Sequence, residues 1–145
     1  MTTVVYDGRD PKHRVVAADS QVSGGVPQTT QKLVRVKGAI IGVAGDLEEA
    51  TRFVNWYKDR RKAIPQFSRE EDDDWEAIVV TKSKVEWWGP GGVPIPITEP
   101  YYAIGTGAEY AIGVLDMGHT IDDAMRVALH RDKSNSGPPI VKMTL

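Results

Sequence analysis

The amino-acid sequence predicts an α+β chain in which two antiparallel β-sheets pack together and are covered by helices. Three observations lead there. Segments with strand and helix character follow in the order strands, helix, strands, two helices, strand. The links between successive strands are of hairpin length, which favours antiparallel pairing over the crossovers of a parallel sheet. At 145 residues the chain is the size of one ordinary domain, so a single domain over residues 1–145 is expected.

The elements follow in order. Thr2 to Tyr6 and Arg14 to Ala18 are β-rich runs separated by Asp7-Gly8-Arg9-Asp10-Pro11, a cluster of turn residues, and read as a hairpin. After the Ser23-Gly24-Gly25-Val26-Pro27 loop, Lys32 to Val36 and Ala39 to Ala44 form two more strands around Lys37-Gly38. Asp46 caps a helix over Leu47 to Arg61, whose Leu47, Ala50, Phe53, Val54 and Tyr57 share a face, with Glu48 and Glu49 at its positive end. Pro65 to Asp74 is polar and acidic and reads as a solvated loop. Ala77 to Thr81 and Val85 to Trp88 form a second hairpin across Lys82-Ser83-Lys84. The proline- and glycine-rich stretch from Gly89 to Pro100 is a loop or sheet edge leading to Tyr101-Tyr102-Ala103-Ile104. Helices are expected over Ala108 to Met117 and, opened by Thr120 with Asp123 three residues on, through His130. Ile140 to Thr144 is the last strand.

Composition excludes several functions. A net charge of -2 and a pI near 5.9 leave no basic excess to capture nucleic acid or an anionic membrane. The absence of cysteine removes disulfides, a thiol nucleophile and thiolate metal sites. No export signal and no apolar run of about 18–20 residues is visible, so a cytoplasmic location is expected. Gly105-Thr106-Gly107 lacks the third glycine of a dinucleotide loop. His13, His119 and His130 lack metal-helix spacing, and Glu70 to Asp74 lacks the alternation of a calcium loop. Trp87-Trp88 and Tyr101-Tyr102 each present one ring to either face of a strand, so one of each pair is expected in the core. No Gly-x-Ser-x-Gly elbow is present.

Thr2 follows the initiator methionine. A threonine hydroxyl is a weak nucleophile, but at a chain terminus its own amino group, with a pKa of about 7.7–8.0, can take the proton near neutral pH. The small side chain of Thr2 favours removal of Met1, which would leave that arrangement.

Further residues accompany it. Thr2-Thr3-Val4-Val5, Ala17-Ala18-Asp19-Ser20-Gln21-Val22-Ser23, Lys32-Leu33 and Gly42-Val43-Ala44-Gly45-Asp46 follow one another, continued by Gly105-Thr106-Gly107, Arg131-Asp132 and Ser136-Gly137. In content and order this set resembles the proteasome β-subunit and HslV peptidases, along nearly the whole chain. The resemblance implies the N-terminal-nucleophile (Ntn) hydrolase fold, a four-layer αββα sandwich. It implies catalysis by Thr2 after loss of Met1, with Lys32 lowering the pKa of the terminal amine, Asp19 holding Lys32, and the Gly42 amide facing the oxyanion. Thr106, Asp132 and Ser136 match the supporting network. Ile40, where the family's S1 pocket begins, and Val22 are the implied substrate-binding residues, and an apolar P1 preference follows from Ile40.

The same resemblance implies no cofactor, a homo-oligomeric ring, unfolded protein or peptide as substrate, and an AAA+ unfoldase ATPase as partner. The chain departs from the pattern in three ways. Asp132 to Ser136 is one residue longer, so Ser134 is an alternative to Ser136, Pro138-Pro139 replaces small residues, and the version is compact. An inactive structural ring subunit, and an Ntn amidase acting on a small amide, remain alternatives to the threonine peptidase.

Overall fold

β-branched and small apolar residues make every long strand of this protein, and their alternation decides the layering. The computed structural model describes residues 2–20, 32–133 and 136–145. β1 (Thr3–Asp7) and β2 (Val15–Ala18) form the expected hairpin, with Val4 opposite Ala18 and Tyr6 opposite Val16. β3 (Leu33–Val36) and β4 (Ala39–Gly45) form the second. Helix α1 (Leu47–Lys58) follows, then β5 (Trp75–Thr81), β6 (Val85–Trp88), the two-residue edge strand β7 (Ile95–Pro96) and β8 (Tyr101–Gly105). Helices α2 (Ala108–Asp116) and α3 (Ile121–Arg131) and strand β9 (Val141–Thr144) complete the order.

Among the described residues all pairings are antiparallel and give two sheets, β8-β1-β2-β9 and β3-β4-β5-β6-β7. Because successive strand residues face opposite ways, each sheet has two buried faces to fill. Val4, Val16, Ile104, Ile40, Ile78 and Val80 meet between the sheets. Val5, Ala17 and Ala103 face Leu115, Ala124 and Met125 of α2 and α3. Ile41, Val43 and Val79 face Ala50, Phe53 and Val54 of α1. The layers are therefore α2/α3, first sheet, second sheet, α1: the αββα sandwich expected.

Several boundaries move, most of them by a single residue. Thr2 lies just outside β1. Helix α1 ends at Lys58 rather than Arg61, because Asp59 turns its N–H to the Trp56 carbonyl and its carboxylate to the Arg61 guanidinium, 2.8 Å away. The acidic stretch holds a short 3-10 turn, Glu71–Asp73, and β5 starts at Trp75, earlier than its β-rich run suggested. Trp88 is buried against Phe53, with ring centroids 5.1 Å apart, while Trp87 packs on the inter-sheet side.

Candidate active site

The site begins where β1 begins. Thr2 is 3% exposed and Thr3 is fully buried, held by two glycines, one at the end of β8 and one just after it. A Cβ on Gly105 would lie 1.9 Å from the Thr2 carbonyl oxygen, and one on Gly107 would lie 1.9 Å from Thr3 Oγ1. Gly105 also has φ +90°, a conformation that side chains rarely adopt. The Gly-Thr-Gly sequence is thus a close backbone approach, which lets the end of β1 sit against the turn into α2.

Beneath Thr2 lies a buried ion pair. Lys32 Nζ donates to both carboxylate oxygens of Asp19 at 3.0 Å, and the two residues are 6% and 1% exposed. Asp19 also accepts the Thr3 N–H at 2.9 Å and the Gly137 N–H at 3.0 Å. A buried ion pair is tolerated only when the remaining hydrogen-bonding capacity is filled, and these backbone donors fill it. Burial pushes the Lys32 ammonium below the usual lysine range, while the charges of Asp19 and Asp132 pull the other way. The shared Asp19 carboxylate fixes the lysine head next to the peptide group that follows Thr2.

A second network closes over it. Asp132, 8% exposed, accepts from Thr106 Oγ1 at 2.6 Å and from Ser136 Oγ at 2.8 Å. Ser136 Oγ also lies 2.8 Å from Thr3 Oγ1. With Ser136 donating to Asp132, the Thr3 hydroxyl is left to donate to Ser136. The segment is stapled to the end of β2 by Ser20, whose N–H donates to Gly137 O at 2.9 Å and whose Oγ donates to Pro139 O at 2.6 Å. Thr2, Asp19, Lys32, Thr106, Asp132 and Ser136, distant in sequence, are thus brought together. Ser134 and Val22 lie outside the described residues.

Two expected site residues are placed elsewhere. Gly42 is in the interior of β4, where a Cβ would lie 2.5 Å from Val4 Cγ1; its small size serves sheet packing. Its amide is also committed. Asp46 N–H donates to Asp74 O, and counting back in steps of two makes Gly42 and Ile78 a hydrogen-bonded pair of the antiparallel ladder. Ile40 is 0% exposed, within the inter-sheet core.

The same parity turns Gly45, at the end of β4, away from β5, on the side where Val43 N–H meets Lys32 O at 2.9 Å. Gly45 has φ +93° and lines a cavity of about 660 Å³ together with Thr2, Ala44, Trp75, Gly105 and Thr106. Gly45 was present in the motif that drew attention to Gly42, but only the register of β4 on β5 distinguishes them. Glu76 is the other residue the sequence did not single out. It reaches across from β5 to accept Gly105 N–H at 3.0 Å and Trp87 Nε1 at 2.9 Å. Among the described residues no group of three or more His, Asp or Glu could hold a metal ion.

No protein-family model matches the sequence, and no curated protein does. Solved structures do. The chain is similar to eukaryotic HslV from Trypanosoma brucei, at 20% identity over 99% of both chains with a TM-score of 0.76. It is similar to Thiobacillus denitrificans BPH, at 15% identity over 99% of this chain and 97% of that one with a TM-score of 0.72. The same BPH in complex with Epoxomicin matches at 15% identity over 99% and 98% of the two chains with a TM-score of 0.70. The resemblance carried by the sequence therefore extends to the architecture, and this chain has the αββα fold of HslV.

Proposed function

We propose that the chain is a threonine-type peptidase subunit in which Thr2, once Met1 is removed, hydrolyses peptide bonds. The observation that carries this reading is the buried Lys32–Asp19 pair, whose carboxylate also holds the Thr3 N–H. A charge so costly to bury, set one peptide from a threonine that lines a cavity, is suited to tuning that threonine. The Thr2 amine takes the hydroxyl proton as Oγ attacks the substrate carbonyl, and passes it to the leaving amine when the peptide bond breaks. Water then attacks the resulting ester, again through the amine, and frees Thr2. The positive charge of Lys32 disfavours protonation of the amine and stabilises the alkoxide. Gly45 replaces Gly42 as the proposed oxyanion donor, on the strength of its position in the cavity wall and the parity of its N–H. Thr106, Asp132 and Ser136 position the end of β1 through Thr3.

Intact mass after treatment with epoxomicin, the ligand of the BPH neighbour, tests the reading. The expected result is loss of Met1 and one adduct on the wild-type chain, absent from Thr2→Ala. Retained Met1 with no adduct under native conditions would leave an inactive ring subunit as the better account.

The assembly proposed alongside is a homo-oligomeric ring in the cytoplasm, fed with unfolded protein by an AAA+ ATPase, as the family resemblance implies. No helix among the described residues is long and apolar enough to cross a membrane. Light scattering on the native protein is expected to give a multiple of the 16.0 kDa subunit; a stable monomer would count against the ring. Recovery of no ATPase in a pull-down from native cytosol would count against the partner.

A further inference from the structure

Along β5, Glu76 falls in the row that sends Ile78 and Val80 between the two sheets. A half-buried carboxylate stands at the end of an apolar layer, and each of its oxygens has a donor. Oε1 accepts Trp87 Nε1–H at 2.9 Å from the neighbouring strand β6, and Oε2 accepts the Gly105 N–H at 3.0 Å from β8 in the other sheet. Hydrogen bonds to an ionised acceptor are stronger than neutral ones. The indole fixes the carboxylate, and the carboxylate in turn fixes the Gly105 peptide.

The position of Gly105 in the ladder explains why it needs such a partner. Thr3 turns both its backbone groups towards β2: its N–H donates to Asp19 Oδ1 and its carbonyl accepts the Asp19 N–H. Gly105 stands opposite Thr3 in the register of β1 and β8. The two therefore form a pair without mutual hydrogen bonds, and the Gly105 N–H is directed to the outer edge of β8, where the first sheet has no further strand among the described residues. Glu76 fills that edge position from the second sheet. On its other side Gly105 is so close to Thr2 that a Cβ would stand 1.9 Å from the Thr2 carbonyl oxygen, so a displacement of Gly105 is passed to the Thr2 main chain. Glu76 also belongs to the ladder of the proposed oxyanion donor, since it lies opposite Ala44 while Trp75 lies opposite Gly45.

We infer that Glu76 is a positioning residue: its carboxylate ties Gly105, and through it the Thr2 main chain, to the β4–β5 ladder that carries Gly45, and so sets the nucleophile against the oxyanion amide. The inference rests on the peptidase reading above. Glu76 acts through Gly105 rather than on substrate. Slack between the two sheets misaligns the reacting atoms without removing a substrate contact, so the loss falls on kcat and not on KM.

The test measures kcat and KM for a fluorogenic peptide that the wild-type protein cleaves, at a temperature where every variant is folded by circular dichroism. Hydrogen–deuterium exchange of the fragment containing Gly105 is followed on the same proteins. Glu76→Ala is expected to lower kcat about tenfold or more with KM within about twofold, and to speed exchange at Gly105. Glu76→Gln offers one acceptor oxygen to two donors, so its kcat and exchange should fall between those of Glu76→Ala and wild type. Adding Trp87→Phe to Glu76→Gln removes the competing donor and should return kcat and Gly105 exchange towards wild type. A merely structural Glu76 would lower the unfolding temperature, leave kcat of the folded variants unchanged and give no such rescue; that result, or unchanged Gly105 exchange in Glu76→Ala, would overturn the inference. Wild-type protein that gives neither turnover nor an epoxomicin adduct would instead remove the peptidase reading, and the exchange comparison would then decide by itself whether Glu76 holds Gly105.

Discussion

At Gly105 a methyl group has nowhere to go. Its Cβ would stand 1.9 Å from the Thr2 carbonyl oxygen and 2.7 Å from the carbonyl carbon, in backbone that already has φ +90°. Gly105→Ala must therefore move the Thr2 main chain. Since a misplacement of about 1 Å can cost on the order of 10²-fold in rate, kcat/KM should fall by about that factor, and a fluorogenic assay beside a thermal unfolding scan would show it. Retained activity would mean that Thr2 need not stand where it does. Lys32 gives the second prediction at this scale. Burial depresses its pKa and Asp19 opposes that depression. In Asp19→Asn the opposing charge is gone, so the Lys32 midpoint should drop further, followed by NMR of the labelled side-chain nitrogen. The unfolded chain titrates at about 10.4. Between the lowered folded pKa and that value the unfolded state binds the extra proton, so the Lys32 contribution to stability rises with pH across this window. An unmoved or raised midpoint would show that Asp19 is not the opposing charge.

Among the elements, those with strong local signals were legible in the sequence. Asp46 and Thr120 accept the N–H of Glu49 and Asp123 as N-caps, and α1, α2 and α3 begin where their apolar periodicity begins. Helix ends were less legible. The α1 pattern runs on through Arg60 and Arg61, but Asp59 pairs with Arg61 and Arg60 folds back over the Trp56 and Tyr57 rings at 5.2 and 5.0 Å. These contacts compete with the next helical turn. In the site, Asp19, Lys32, Thr106, Asp132 and Ser136 were legible because chemistry-bearing residue types stood in a recognisable order. Gly42 and Gly45 were not distinguishable, because strand parity decides which amide is taken up in the ladder with β5. The Asp46–Asp74 hydrogen bond that sets this parity joins residues 28 positions apart, with a whole helix between.

The whole molecule joins these parts late in the chain. The first sheet places β1 and β2 between β8 and β9, so the hydrogen bond from Thr3 to Ser136 links residues 133 positions apart. The two sheets nevertheless share one core, in which Val4, Val16 and Ile104 of the first meet Leu33, Ile40 and Ile78 of the second. Neither sheet can leave without exposing that surface to water, which costs about 25 cal/mol per Å². A single cooperative unit is the expected outcome, and the residue types provide two independent reporters of it. Trp56, Trp75, Trp87 and Trp88 all belong to α1 and the second sheet, whereas α2 and α3, which supply most of the helix, cover the first. Urea unfolding followed by tryptophan fluorescence and by circular dichroism at 222 nm should therefore give coincident midpoints and equal slopes. If the fluorescence transition came at a clearly different urea concentration, the sheets would be unfolding as separate units. Thr2, in the first sheet's half, would then be held only weakly against the Lys32 and Gly45 of the second.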